Sequence, residues 1–340
     1  MITRNPAAVQ GVDRAWQRDL ADAYRTPEAL LADLDLDPAQ FGDGLKARRL
    51  FPMLVPRAFA AAMTPGDPQD PLLRQVLPVG EEFAQVAGFG VDPIGEQDGP
   101  QPGLLHKYQS RVLLMLRGGC AVNCRYCFRR HFPYADHKVG PAELAQARDY
   151  IAADPNINEL LLSGGDPLMA RDDQLAGVLE SFRDLPQLKR LRIHSRLPVV
   201  LPNRITDQLV RLLANAPWQV VLVLHINHPN ELQPALVAGL ARLKAAGVTL
   251  LNQSVLLKGI NDDADTQVAL AEALFDAGVL PYYLHLLDRV QGAAHFEVAE
   301  AQARDLMAQL LTRLPGFLVP RLVREIAGQP SKTPVDLKLV

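Results

Sequence analysis

Cysteine is scarce in this chain: three among 340 residues, all between Cys120 and Cys127. So few, so close together and odd in number, they exclude the disulfide framework of a small secreted domain. Long apolar stretches are missing as well. The run Val220–Leu224 falls far short of the roughly 18 residues that a membrane-spanning helix needs. The opening segment MITRNPAAVQGVDRAWQRDL carries charges throughout and lacks the apolar centre of a secretory leader. A net charge of -3 supplies no bulk positive field for nucleic acid. With 48% hydrophobic and 21% charged residues, global disorder is excluded too. The expectation is a soluble, cytoplasmic protein with no nucleic-acid or membrane partner. Its core is large enough for one big domain or two ordinary ones, and an oligomer is compatible with the sequence.

The texture changes at about residue 105. Before it, the chain is rich in Pro, Ala, Asp and Gly, with helix-like patches at Asp13–Tyr24 and Pro27–Leu36. Val91–Gly103 is dense in turn formers and reads as a connector. After it, short apolar runs alternate with amphipathic stretches. Strands are expected at Val112–Leu116, Glu159–Leu162, Arg190–His194, Gln219–Ile226, Val248–Leu251 and Pro281–Leu286. Leu175, Val178, Leu179 and Phe182 form a helical stripe, and Leu232, Leu236, Leu240 and Leu243 form another, stopped by Gly247. Strands alternating with helices predict βα units and a parallel sheet; mostly apolar strands predict that both faces are covered. Periodicity leaves a doubly wound sheet and an open or closed barrel side by side.

In all of these folds the chemistry sits on loops at the carboxyl ends of the strands. Polar residues collect there: the cysteines after the first strand, Ser163-Gly164-Gly165-Asp166 after the second and His194-Ser195-Arg196 after the third. His225 to Asn230 follow the fourth, Asn252-Gln253-Ser254 the fifth and Asp288 the sixth. The cysteines, Cys120, Cys124 and Cys127, form a C-x3-C-x2-C motif. Thiolates are soft donors suited to zinc or iron–sulfur clusters. Three of them hold three irons of a cubane and leave the fourth open to another ligand, whereas zinc needs a fourth protein ligand, for which His131 is the candidate.

This motif, directly after the first strand of a βα array, resembles that of the radical S-adenosylmethionine (SAM) enzymes. Leu162-Ser163-Gly164-Gly165-Asp166-Pro167-Leu168 resembles their Gly-rich motif, which meets the SAM methionine; glycines let main chain approach a ligand closely. Four further segments, Cys127–Phe132, Ser195–Pro202, His225–Glu231 and Asn252–Leu257, resemble in order those of the lysine 2,3-aminomutase family. The end of the chain, around Ser331-Lys332-Thr333-Pro334, is similar to a compact subgroup named for β-lysylation of translation elongation factor P.

The resemblance implies a partial, open, about six-stranded parallel βα barrel over 106–330, a mainly helical region over 1–105, and a tail, 331–340, carrying the lysine that binds pyridoxal phosphate (PLP). It implies a [4Fe-4S] cluster on Cys120, Cys124 and Cys127, with SAM at Ser163, Gly164, Gly165 and Asp166. PLP is then expected on Lys332, near Lys107, Tyr108 and Arg111, with Lys107 standing where the family has arginine. Arg129 matches the clamp on the substrate carboxylate, a suitable task for a planar guanidinium. Asp288 and Glu325 match the acids that hold the side-chain ammonium of lysine, Glu325 replacing an aspartate. The activity implied is isomerisation of lysine to β-lysine, which a separate ligase attaches to elongation factor P. The alternatives are a radical SAM aminomutase for another amino acid and a non-catalytic zinc-stabilised scaffold.

Overall fold

The computed structural model describes residues 15–96, 100–134, 137 and 139–337. Nine strands lie in sequence order in one open sheet: β1 (Leu104–Tyr108), β2 (Arg111–Arg117), β3 (Glu159–Gly164), β4 (Arg190–Ser195), β5 (Gln219–Leu224), β6 (Thr249–Val255), β7 (Leu280–His285), β8 (Arg321–Arg324) and β9 (Thr333–Pro334). β2 to β8 are parallel, and the short arms β1 and β9 pair antiparallel with β2 and β8. The six expected strands are all present, so the partial βα barrel is borne out, extended by one parallel strand and two arms. β8 escaped the sequence because four residues are too few for a periodicity.

Each parallel step is bridged by a helix: Pro141–Ala153, Asp172–Glu180, Asp207–Ala214, Pro234–Ala245, Ala264–Asp276 and Glu300–Arg313. Their buried stripes, such as Leu236, Leu240 and Leu243, pack on the outer face of the sheet; deleting one such leucine side chain costs roughly 2–5 kcal/mol. Gly247 ends its helix in the left-handed region at φ 83, where its amide and that of Val248 close on the Lys244 and Leu243 carbonyls. The helix Pro27–Asp33 stops short of Leu36 because Asp35 takes φ 53.

The covered-face expectation holds for the outer face only. β4 alternates, with Leu191, Ile193 and Ser195 buried and Arg190, Arg192 and His194 half-buried on the opposite side. β6 does the same with Gln253. The inner face is therefore partly polar. One core runs without a break from Trp16, Leu30, Phe59 and Leu73 in the N-terminal region to Leu114, Leu162, Ile193, Leu224 and Leu250 on β2–β6. A separate, smaller core under β7 and β8 contains Leu284, Leu306, Leu310 and Leu322.

The N-terminal region consists of short helical turns, including Pro38–Arg49 and Arg57–Ala60. The patch expected at Asp13–Tyr24 begins outside the described residues and is helical over 15–21. The segment 331–337 is no loose tail, since β9 pairs Pro334 with Val323. Among the described residues no helix is long and apolar enough to cross a membrane.

Candidate active site

The cysteine loop leaves β2 and folds over the loop that leaves β3. Gly165 donates to the Arg117 carbonyl at 2.8 Å and Asp166 to the Gly119 carbonyl at 2.9 Å. A side chain at Gly165 would meet Gly119 O at 2.6 Å and Arg117 O at 2.7 Å, so the glycine is required for the two loops to touch. The close approach allowed at Gly165 is thus to the cysteine loop itself. The Asp166 carboxylate is buried and committed: it accepts from Ser195 Oγ and from the amides of Leu168, Arg196 and Leu197 at 2.8–3.0 Å. Burial raises its pKa against the pull of those bonds. It ties the β3 loop to the β4 loop.

Cys120, Cys124 and Cys127 are free and partly buried. Burial raises the Cys120 thiol well above its usual range, and pushes Cys127 up to about 11 with the Cys124 sulfur adding to the rise. Thiols raised in this way, Cys120 and Cys127, ionise together only against a strongly cationic group. Among the described residues no three His, Cys, Asp or Glu side chains gather around a single ion. His131 turns its Nε2 to the Gln291 carbonyl at 3.2 Å.

Arg129, just beyond Cys127, reaches back over the β3 loop. Its Nη1 donates to the Gly164 carbonyl at 3.0 Å and lies 3.5 Å from Ser163 Oγ, while its Nε donates to Glu96 at 2.8 Å. Tyr134 donates to the same Gly164 carbonyl at 2.9 Å. Across the opening, Lys332 donates to Glu325 Oε2 at 2.7 Å, and Lys107 pairs with Oε1 of the same carboxylate. Lys107 and Glu325, where the resemblance leads one to expect arginine and aspartate, therefore touch each other. They join the first strand to the end of the last parallel one, spanning the open side of the sheet.

Asp288 is pushed up to about 7 by burial, with Glu325 and Glu96 adding to the rise and Lys332 and Arg129 opposing it. Glu325 is held below its usual value: burial would raise it, and the ammonium groups of Lys332 and Lys107 outweigh that. One electrostatic neighbourhood thus contains Arg129, Asp288, Glu325 and Lys332. Tyr108 and Arg111 sit at the hairpin end of β1 and β2, with the Arg111 guanidinium 3.6 Å from the Tyr108 ring.

The inner face adds residues to which the sequence reading gave no role. His194, His225 and His285, from the ends of β4, β5 and β7, are kept neutral chiefly by burial, His225 falling to about 3. The Lys332 charge lowers all three further, and Arg129 lowers His194 and His225. His194 Nε2, His285 Nε2, Gln253 Oε1 and Arg192 Nε are buried without partners. Arg192 and Arg111 both hold down a Tyr282 hydroxyl that burial pushes up to about 12. The alternation Arg-Leu-Arg-Ile-His-Ser in β4 was the available signal, because polar residues at every second position of an otherwise covered strand mark a polar interior.

Comparison with known proteins fits this geometry. Residues 115–269 match the radical SAM superfamily. An L-lysine 2,3-aminomutase of Escherichia coli is 53% identical over 95% of both chains, and that of Haemophilus influenzae is 49% identical over 94% of this chain and 95% of its own. The L-lysine 2,3-aminomutase of Clostridium subterminale is 34% identical over 94% of this chain and 77% of its own. The chain belongs to the lysine 2,3-aminomutase family. The site suits the groups that this family implies. Soft thiols on one loop fit an iron–sulfur cluster, and the unpaired buried donors and acceptors of His194, His285 and Gln253 fit a polar ligand inside the barrel. Arg192 keeps its Nη2 on Glu159 and leaves its Nε unpartnered, so that Nε, with Arg111 nearby, fits a single phosphate oxygen.

Proposed function

We propose that this protein converts L-lysine to β-lysine by moving the amino nitrogen from C2 to C3. The observation that carries this reading is the arrangement of charge across the opening: Arg129 at the cysteine-loop side, with Asp288 and Glu325, the latter paired with Lys332 and Lys107, at the other. An α-carboxylate at one end and a side-chain ammonium at the other complement it, which favours a basic amino acid over an acidic one. When bound, the cluster and SAM supply a hydrogen-abstracting radical, and PLP supplies a conjugated carrier across which nitrogen can pass between neighbouring carbons.

Cys120, Cys124 and Cys127 hold the cluster, and the Ser163–Asp166 loop, pressed against them, receives SAM. Arg129 fixes the substrate carboxylate with a forked pair of hydrogen bonds. Asp288 takes the side-chain ammonium, with Glu325 beside it. Lys332 would hold PLP, and Glu325 Oε2, 2.7 Å from its Nζ, keeps that side chain at the site. Lys107, Tyr108 and Arg111 line the PLP side. Neutral histidines and the loops above them keep bulk water from the reacting carbons.

We propose further that the product is attached to elongation factor P by a separate ligase in the cytoplasm, a reading supported by the similarity of Ser331-Lys332-Thr333-Pro334 to that subgroup. Anaerobic incubation of reconstituted protein with lysine, SAM, PLP and reductant, followed by chiral product analysis, tests the reaction. Absence of β-lysine from a preparation with intact cluster and bound PLP refutes it, and rearrangement of a different amino acid redirects it. Loss of the β-lysyl mass from elongation factor P in cells lacking this chain tests the use.

A further inference from the structure

Arg196 has no part in the reaction as described, yet it is among the most heavily anchored groups in the molecule. It follows β4 and is 5% exposed. Its Nη1 donates to the Cys124 sulfur at 2.7 Å and to the Tyr126 hydroxyl. Its Nη2 donates to Gln75 Oε1 at 2.7 Å and to Glu231 Oε2 at 3.1 Å. Its backbone amide donates to Asp166 at 2.8 Å, and its guanidinium carbon lies 5.5 Å from the centre of the Phe59 ring. Its Nε is buried without a partner, a further donor beside the cysteine loop.

The anchors are themselves held. Glu231 Oε1 accepts from the amides of Asn227 and His228 at 3.0 and 3.1 Å and from Gln75 Nε2 at 3.2 Å. Asn227 Nδ2 donates to the Tyr126 hydroxyl at 2.6 Å and to Gln75 Oε1 at 2.9 Å. A buried Arg–Glu pair is a poor device for stability, because apolar side chains of the same volume fill such a space at no desolvation cost. Ending that pair on a sulfur makes sense for a different reason. A hydrogen bond and a positive charge at a cysteinyl sulfur favour the added electron of a reduced cluster, and so raise its potential.

We propose that Arg196 is a positioning residue that sets the reduction potential of the cluster through its hydrogen bond to the Cys124 sulfur, with Glu231 and Gln75 holding the guanidinium in place and Asp166 holding its backbone. This rests on the reading of Cys120, Cys124 and Cys127 as cluster ligands. It makes the N-terminal region part of the redox site, because Gln75 and Phe59 come from it. The step concerned is entry of one electron from a low-potential external donor; Arg196 neither gains nor loses a bond in it.

The test uses full-length protein reconstituted anaerobically with iron and sulfide, without substrate. Cluster reduction is followed by electron paramagnetic resonance during titration with dithionite and mediators. Arg196→Gln should keep the iron content of the parent and reduce less readily. The expected shift is at least about tenfold in the reduction equilibrium, or about 59 mV toward negative potential for one electron. Arg196→Lys should recover part of the shift. Glu231→Gln removes the counter-charge and should move the potential the opposite way. An unchanged midpoint in Arg196→Gln with full iron overturns the proposal. Should that variant not fold, Glu231→Gln decides: a positive shift supports the assignment and an unchanged midpoint overturns it. Failure of the parent chain to bind iron would overturn the reading of the cysteine loop, and this proposal with it.

Discussion

The two sides of the open barrel are held by different forces. On the β2–β4 side the cysteine loop, the Ser163–Asp166 loop and Arg196 are joined by hydrogen bonds among buried groups, and they rest on the core shared with the N-terminal region. On the β7–β9 side Glu325 is gripped by two lysines, Lys107 at 27% and Lys332 at 25% side-chain exposure, above a separate and smaller core. The difference agrees with what the proposed function asks of each side. A cluster and its cofactor need ligands fixed to a fraction of an ångström, and satisfied buried hydrogen bonds give that. A site for an amino acid with a carboxylate at one end and an ammonium at the other needs charges that pair with one another until the substrate's own charges replace them. Arg129 lies where the two sides meet, bonded to the Gly164 carbonyl of the β3 loop and to the Glu96 carboxylate.

The sharpest way to break this division is to remove a thiol. Cys120→Ala, Cys124→Ala or Cys127→Ala should each eliminate the cluster and all SAM cleavage, measured as iron per chain and 5′-deoxyadenosine formed. A variant with full iron and turnover would remove that cysteine from the cluster. Next in size is Lys332→Ala, which should lose the PLP absorbance that borohydride fixes and nearly all isomerisation, while iron content and uncoupled SAM cleavage persist. Loss of the cluster together with PLP would show that the two sides do not act independently.

Arg129→Lys should raise KM for lysine roughly tenfold to a hundredfold, because an ammonium cannot make the forked pair of hydrogen bonds. Unchanged lysine kinetics would take Arg129 out of the carboxylate site. The smallest effect concerns pH. With its pKa at about 7, the Asp288 carboxyl is largely protonated in mildly acidic solution and cannot pair with an ammonium until it ionises. KM for lysine should therefore fall about tenfold as pH rises from about 6 to about 8. Asp288→Asn should flatten that dependence and leave KM high throughout. A KM that rises over this interval would contradict the assignment of Asp288.

The strands were legible because each is a local matter, but their ends were not. β5 stops at Leu224, while β3, β4 and β6 run on through Gly164, Ser195 and Val255, so that Asn252, Gln253 and Ser254 lie in a strand where a loop was expected. An apolar run such as Val220–Leu224 states its own conformation, and C-x3-C-x2-C states its own chemistry within eight residues. The expected site residues Arg129, Asp288, Glu325 and Lys332 could be picked out by resemblance, but their mutual pairing could not. Lys107 meets Glu325 across 218 residues of chain, and Glu96 reaches Arg129 from a segment that in sequence is only a turn-rich connector.

By itself the sequence determined the alternation of strands and helices and the soft donor set on one loop, because each depends on spacing along a few residues or on the periodicity of one element. The open barrel and the iron–sulfur cluster followed only from the resemblance of several motifs in order to one family. Tertiary structure alone decided that Asp166 ties two loops together, that the inner face carries three neutral histidines, and that Arg196 ends on the Cys124 sulfur. Desolvation and charge pairing depend on which distant segments enclose a group, and no short stretch of sequence contains that information.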